Sequence, residues 1–343
     1  MSKKILVLGG TGYVGQHIVR SLAKSKDYSC NIVATSHNIL SDSDQAKLQD
    51  WWNKGRDAAK EDISIKAVDL SKKEQLAEIF KKHQFDYIIH AAGKHAYHTA
   101  EELNAINVAG TDNLIAVLKE NNITAPIIYL STIYVMNSTY SKEDGRETIY
   151  GETKLSAERK LGEYGQENNV NVSILRLTNI WGGHAQKTRA LWPNLIRALV
   201  AENRPKKPIT LWQGGKVGFF HVRDLAFLIR SFIVNDDLPN QTIFVYETWC
   251  PEIADVEKST PSNTLYKLTL DILGNMKVPV NENVVQFTPA TSKFIPVPRN
   301  FDLFDLKKYL RAGKLTEANY LKRTIRFVDN IVADQRTRDY TIV

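Results

Sequence analysis

Six short apolar runs punctuate the first half of the chain: KILVLG (3–8), NIVAT (31–35), ISIKAVD (63–69), DYIIHAA (86–92), PIIYLS (126–131) and VSILRL (172–177). They are rich in Ile and Val and bounded by turn-forming residues, so each reads as a strand covered on both faces. Between them, near 13–25, 43–59, 71–82, 100–121 and 150–168, apolar residues recur at helical spacing. Such alternation predicts βαβ units, and right-handed crossovers then give an α/β fold built on a doubly wound parallel sheet.

After about residue 180 the regularity fades. Ten prolines, from Pro193 to Pro298, cut the chain into short pieces. Helices are expected near 222–235 and 262–273, with more helix after Phe301. The expected organisation is a dinucleotide-binding domain over 1–180 and a smaller C-terminal α/β subdomain for substrate over 181–343. Residues from about 217 to 247 are expected to return to the first domain. Residues 40–62, with Trp51-Trp52 and many charges, read as a helical excursion whose purpose the sequence does not disclose.

Composition narrows the classes. The 343 residues are 43% hydrophobic and 24% charged, as in ordinary globular proteins. No apolar run reaches membrane-spanning length. The basic and apolar start, MSKKILVLGG, is too short for a secretory signal and runs into a glycine loop. A cytoplasmic protein with no membrane partner is expected. Cys30 and Cys250 are the only cysteines, so neither a disulfide framework nor a zinc knuckle is implied. The net charge of +7 is spread over small clusters such as Lys81-Lys82, Lys206-Lys207 and Lys307-Lys308. These read as solvated surface without a nucleic-acid signature, although small phosphate-bearing ligands suit the excess. His95 and His98 in KHAYH lack a carboxylate or cysteine at ligand spacing, so no metal is expected. Trp181, Trp192, Trp212, Phe219 and Phe220 are read as core or as cover for a substrate. His90, inside an apolar strand, is expected to be a satisfied core histidine.

The first strand ends in GGTGYVG, which places Gly9, Gly12 and Gly15 between a strand and a helix. The first glycine permits the tight turn, the second lets the backbone approach a pyrophosphate, and the third packs the helix on the strand. The helix N-terminus then offers free N–H groups to the phosphates. This is the dinucleotide fingerprint of a Rossmann sheet. The second strand ends in Thr35, Ser36 and His37 without the carboxylate usual for NAD, so NADP(H) is favoured within an NAD(P) site. Asp69, closing the third strand, is read either as an adenine contact or as a helix cap.

Tyr150 and Lys154 stand four positions apart, on one face of a helix. A free phenol has a pKa of about 10, and a neighbouring ammonium favours the phenolate. Beside a hydride carrier, such a pair suits proton transfer at a carbonyl oxygen. Ser131 and Thr132 close the fifth strand and are expected to face the cofactor side, where a hydroxyl holds that oxygen.

The motifs GGTGYVG, HAAG (90–93), NVAGTDNL (107–114), LSTIYV (130–135), YGETK (150–154), LRLTNIWG (175–182) and FFHVRDLA (219–226) together resemble the extended short-chain dehydrogenase/reductases. This group is often called the NAD-dependent epimerase/dehydratase family, and the resemblance covers roughly residues 3 to 250. STIYVM followed by YGETKLSAE is most similar to nucleotide-sugar 4-ketoreductases of the dTDP-4-dehydrorhamnose reductase type, a pattern shared by a regulatory subunit. The resemblance implies that Thr132 polarises the carbonyl, Tyr150 moves the proton and Lys154 tunes it while holding the nicotinamide ribose. It implies a cofactor lining of Gly9, Thr11, Gly12, Tyr13, Val14, Gly15, Ser36, His37, Asp69, Leu70, Ala91, Ala92 and Gly93, besides Tyr150 and Lys154. His95, Thr132, Asn179 and Lys216 would meet substrate. Asn107 would pin sheet geometry near the site, and Arg176 with Asn179 would place the loop after the sixth strand.

Departures matter too. Family dehydratases carry an acidic pair after the threonine, where Ile133 and Tyr134 stand here. Val217 replaces an arginine that often binds a nucleoside diphosphate, with Lys216 adjacent, and Arg223 replaces the first of two acidic positions whose second is Asp224. The expected function is an NAD(P)-dependent reductase acting on a carbonyl of a nucleotide-linked sugar. The alternatives are a nucleotide-sugar epimerase and a regulatory subunit without turnover. The helices near 100–121 and 150–168 would serve a homodimer.

Overall fold

A computed structural model describes residues 2–24, 29–54, 63–135, 146–183, 191–200, 208–212, 219–245 and 264–288, with 325 and 331–332. The helix expected after Phe301 therefore lies almost wholly outside the described residues, as do Lys216 and the end of the excursion at 55–62. Along the chain run β1 (Lys3–Leu8), α1 (Tyr13–Ala23), β2 (Cys30–Ser36), α2 (Asp42–Asn53), β3 (Ile63–Ala67), α3 (Lys73–Lys82) and β4 (Tyr87–His90). Next come α4 (Ala100–Leu103), a π-helical segment (Asn104–Ala109), α5 (Gly110–Glu120), β5 (Ile127–Thr132), α6 (Arg146–Asn168), β6 (Val172–Leu177) and β7 (Asn179–Trp181). The remainder holds α7 (Leu191–Val200), β8 (Ile209–Trp212), β9 (Phe219–His221), α8 (Val222–Val234), β10 (Thr242–Val245), α9 (Thr264–Asn275) and β11 (Val285–Thr288).

The described chain falls into two units. Among the described residues, the first takes those up to Ile180 and Val222–Val245, and the second takes those within Trp181–His221, Tyr246–Arg299 and Lys314–Val343. In the first, seven strands form one parallel sheet in the order β10-β6-β5-β4-β1-β2-β3. The fold is a doubly wound α/β Rossmann sheet. Its strand order reverses between β1 and β4, and a crevice opens there at the strands' carboxyl ends.

Burial explains why the strands read as unbroken apolar runs. Ile5, Leu6, Val7 and Leu8 are all fully buried, as are Ile127 and Ile128. One face is covered by α1, which packs against α2 and α8; α3, α5 and α6 pack on the other. On the second face, Lys160 pairs with Asp112 and Lys119 with Glu167, joining α5 to α6 across their outer edge.

The excursion at 40–62 acquires a purpose here. Ser41 caps α2, accepting from the Asp44 N–H at 3.2 Å, and Trp52 is fully buried with its indole N–H donating to the Gln16 carbonyl at 3.0 Å. Trp51 stacks edge-on with His17 and lies under the Arg20 guanidinium. The helix thus buttresses α1, the helix that follows the glycine loop.

The second unit has its own core, where Leu195, Ile196 and Leu199 of α7 meet Ile272 and Leu273 of α9, with β8 and β11 paired in parallel. Pro193 sits in the first turn of α7 and so does not interrupt the chain as its sequence position suggested. A first turn tolerates proline because its N–H has no helical acceptor there. Gly182 at φ +84° brings its backbone against the His221 ring, itself edge-on to Trp181.

Candidate active site

The glycine loop is built by backbone proximity. Gly9 has φ +76°, and a side chain there would lie 2.8 Å from Ala92, in the loop after β4. The loops after β1 and β4 therefore touch across the switch point. A Cβ on Gly15 would fall 2.1 Å from the Gly9 carbonyl oxygen, so only glycine lets α1 start this close to the turn. Gly12 is the N-cap of α1, with no side-chain cap and no acidic residue in the first turn. A helix N-terminus without a side-chain cap or an acidic first turn fits a dinucleotide pyrophosphate. Thr11, Tyr13 and Val14 lie on the same turn, half open to solvent.

The Thr35 hydroxyl, ahead of Ser36 and His37 at the end of β2, turns inward and accepts from the Gly9 N–H at 2.9 Å. It fastens the loop to β2. Ser36 is buried beside it, while His37 is exposed with its ring nitrogen 3.9 Å from the Asp69 carboxylate. Burial pushes the Asp69 carboxyl up. The Ser71 hydrogen bonds, His37 and Lys72 outweigh this and hold it below the usual value. Its Oδ1 accepts from the Ser71 N–H at 3.0 Å and hydroxyl at 2.7 Å, which folds the turn before α3. Leu70 points into the core, with its carbonyl accepting from Asn113.

The expected proton-handling group comes together at the carboxyl ends of β4 and β5. The Thr132 hydroxyl accepts from the Tyr134 N–H at 3.3 Å and stands close enough to the Tyr150 phenol to favour its ionised form. The Tyr150 ring stands edge-on to that of Tyr134. Burial pushes the Tyr150 phenol up to about 12, against the pull of the Thr132 hydroxyl. Lys154, one turn on, is 4% exposed, with its ammonium 4.0 Å above the centre of the Tyr129 ring. Burial lowers its pKa to about 7, with Glu158 opposing. A Cβ on Gly93 would lie 3.8 Å from the Lys154 Nζ, so the loop that lines the crevice runs directly past the ammonium.

Helix α6 is held at this edge from several sides. Gly151 lets it lie against the Tyr134 backbone, whose carbonyl oxygen is 2.1 Å from where a Cβ would stand. Asn107, within the π-helical segment, accepts from the Lys94 N–H at 2.8 Å and donates to the Lys94 carbonyl at 3.0 Å and the Thr153 hydroxyl at 3.1 Å. It pins the loop after β4 to α6, a different task from fixing the sheet. Ser131 and Thr132 do not share a face, because successive strand residues alternate. Ser131 donates to Glu158, which also receives Arg176 of β6 at 2.5 to 3.1 Å. Glu158 escaped the sequence reading, although it continues the Tyr150–Lys154 stripe by one more turn.

His95 lies on the exposed loop after β4, edge-on to Tyr97 and near His98. Asn179 begins β7 just beyond the sixth strand. Ala91 and Ala92 sit half-buried where that loop meets Gly9. Among the described residues no group of three or more His, Cys, Asp or Glu is placed to hold a metal.

His90 is only half satisfied. Its Nε2 lies 3.3 Å from the Thr111 hydroxyl, whereas Nδ1 has no partner among the described residues. Burial, with Lys154 adding to it, pushes the imidazole down to about 3 from an ordinary 6.5. The folded state thus excludes a proton that the unfolded chain accepts between those values. Stability from this group is complete above pH 6.5 and is lost as pH falls towards 3. The loss is on the order of 4–5 kcal/mol. Thermal melts from pH 7 to 4 should fall less steeply for His90→Gln than for the natural chain, and equal slopes would remove His90 as the acid-sensitive group.

Residues 5–245 match the NAD dependent epimerase/dehydratase family. The chain belongs to that family. Among family relatives, the UDP-glucose 4-epimerase of Bos taurus is 26% identical over 196 residues, 54% of this chain and 56% of its own. UDP-glucose 4-epimerase 2 of Arabidopsis thaliana is 29% identical over 197 residues, 54% of each chain. The chain thus spans about half the length of these relatives. Among solved structures, the UDP-glucose 4-epimerase of Bifidobacterium longum in complex with NAD+ and UDP has a TM-score of 0.64 at 19% identity. The alignment covers 97% of this chain and 96% of that one. The dTDP-glucose 4,6-dehydratase of Bacillus anthracis in complex with NAD has a TM-score of 0.65 at 16% identity, covering 96% and 97%. These likenesses corroborate the fold. No described helix is long and apolar enough to cross a membrane.

Proposed function

We propose that the chain is an NAD-dependent nucleotide-sugar epimerase. The observation that carries this reading is the neighbouring Thr132 and Tyr150 with Lys154 one turn away, at the carboxyl edge beside the glycine loop. Its relatives named UDP-glucose 4-epimerase support the epimerase over the reductase that sequence alone ranked first. The absence of an acidic pair at Ile133-Tyr134 weighs against dehydration.

Bound NAD supplies the hydride acceptor and a cationic ring. In this reading the Gly9–Gly15 loop and the α1 N-terminus hold the pyrophosphate, Ala91, Ala92 and Gly93 line the cofactor, and Lys154 holds its ribose. Thr132 holds the sugar oxygen. Tyr150, drawn to its phenolate by Lys154 and the cationic ring, would take that oxygen's proton as the carbon is oxidised, and return it after the sugar has turned over. His95, Asn179 and Lys216 are assigned to substrate. NAD is preferred to NADP because the Asp69 carboxylate stands at the exposed rim beside His37, where it would repel a 2′-phosphate. A homodimer through the helices near 100–121 and 150–168 belongs to the same reading, and Ala105 and Ala109 of the π-helical segment between α4 and α5 are exposed.

The test is mass spectrometry with chromatography on UDP- and dTDP-hexoses incubated with NAD, and on their 4-keto forms with NADH or NADPH. The expected product has unchanged mass and altered retention. A product heavier by two hydrogens would make the chain a reductase. Tight NAD binding without turnover would make it a regulatory subunit.

A further inference from the structure

Lys154 is surrounded by groups whose charges can be enumerated. Its own helix contributes Tyr150 one turn before and Glu158 one turn after; β5 contributes the Tyr129 ring, β4 His90, and β6 Arg176, which reaches Glu158. His90 and Tyr129 are both held neutral near pH 7 by burial. Tyr150 is a neutral phenol there as well. Among the described residues, Glu158 is therefore the anion of this shell.

Its setting is costly. Glu158 is 4% exposed, with the Arg176 fork on both oxygens at 2.5 to 3.1 Å and the Ser131 hydroxyl on Oε1. A buried ion pair is seldom worth more to stability than apolar residues filling the same space. Packing alone therefore does not account for a carboxylate here. The register does: Ser131 pairs with Arg176 across β5 and β6, so both strands deliver their donors to one carboxylate, a helical turn from Lys154.

We propose that Glu158 is a positioning residue, fixed by Arg176 and Ser131 so that its carboxylate keeps Lys154 in the ammonium form beside Tyr150. The proposal rests on the reading of Lys154 as the residue that tunes Tyr150 and holds the cofactor ribose. An ammonium buried at this depth loses its proton below neutrality unless an anion opposes the loss, and a neutral lysine neither favours a phenolate nor holds its place as a charged donor.

The experiment is an NMR titration of the full chain labelled at the lysine Cε carbons, with the Lys154 signal assigned by its absence in Lys154→Met. The natural chain is expected to titrate near pH 7. Glu158→Gln should move that midpoint down by about one pH unit or more, and Glu158→Asp should restore most of it. Since Glu158→Gln removes the carboxylate that the Arg176 fork holds, the doubly neutral Glu158→Gln/Arg176→Gln variant is run beside it and should also titrate below the natural chain. The alkaline limb of the kcat/KM profile should shift with the NMR midpoint. A structural role would lower Tm and leave the midpoint in place, and an unchanged midpoint in the neutral variants overturns the proposal. Should Lys154→Met keep full turnover and NAD affinity, the reading of Lys154 fails instead, and the titration still reports on Glu158 separately.

Discussion

Tyr150→Phe is expected to lower kcat by about two to four powers of ten, the contribution of a well-placed acid or base, and to leave NAD affinity close to its natural value. The substitution removes one oxygen and keeps the ring, so the edge-on packing against Tyr134 survives and α6 stays against the Tyr134 backbone. What disappears is the phenol oxygen beside the Thr132 hydroxyl, the group this reading assigns to proton exchange with the sugar oxygen. The glycine loop and the loop after β4 are untouched, and they carry the cofactor in this reading. Steady-state kinetics on the accepted sugar, beside fluorescence titration with NAD, separate the two effects. A full turnover rate in the variant would place the proton transfer elsewhere and end the mechanism proposed for Tyr150. A loss of NAD affinity as large as the loss of kcat would make Tyr150 a cofactor contact first.

The sequence exposes what depends on local pattern. Ile- and Val-rich runs gave the six strands because a parallel sheet buries both faces, and GGTGYVG gave the turn because its glycines answer to backbone contacts only a few residues away. The Tyr150–Lys154 spacing is equally local, being one helical turn. Long-range facts were hidden. Nothing in CNIVATS says that Thr35 turns inward to the Gly9 N–H, since either side of a strand end suits a threonine. Glu158 reads as one more charge on a polar helix until β5 and β6 bring Ser131 and Arg176 to it. The π-helical segment that sets Asn107 between Lys94 and Thr153 has no propensity signature, and the edge strand β10 is visible only once it has a neighbour in β6. The excursion at 40–62 was opaque for the same reason: the tryptophan that explains it, Trp52, is buried by α1, far away in sequence.

Gly15→Ala is expected to abolish dinucleotide binding, and the ordering among glycine variants is what makes the expectation sharp. The added Cβ would lie 2.1 Å from the Gly9 carbonyl oxygen, 2.8 Å from the Gly9 carbonyl carbon and 2.9 Å from the Gly10 Cα. All three are backbone atoms of the loop, so no side chain can swing aside. Helix α1 must retreat, yet its far face is packed on α8 and on the buttress from Trp52. Overpacking of this kind costs about 1–3 kcal/mol of stability. A retreat of about 1 Å also withdraws the helix N-terminus from the phosphates, enough for roughly a hundredfold loss of function that depends on placement. Gly12→Ala is milder, because its Cβ would meet the same oxygen at 3.2 Å and its φ of −68° suits any residue. Gly162→Ala, in the middle of α6 with nothing within 4 Å, should leave binding alone and stabilise the fold by roughly 0.5–1 kcal/mol. Calorimetric NAD titrations with thermal melts on the three variants test the ranking. If Gly15→Ala binds NAD as well as Gly162→Ala does, the close approach of α1 to the turn is a packing feature, and the cradle for the pyrophosphate must be sought away from this loop.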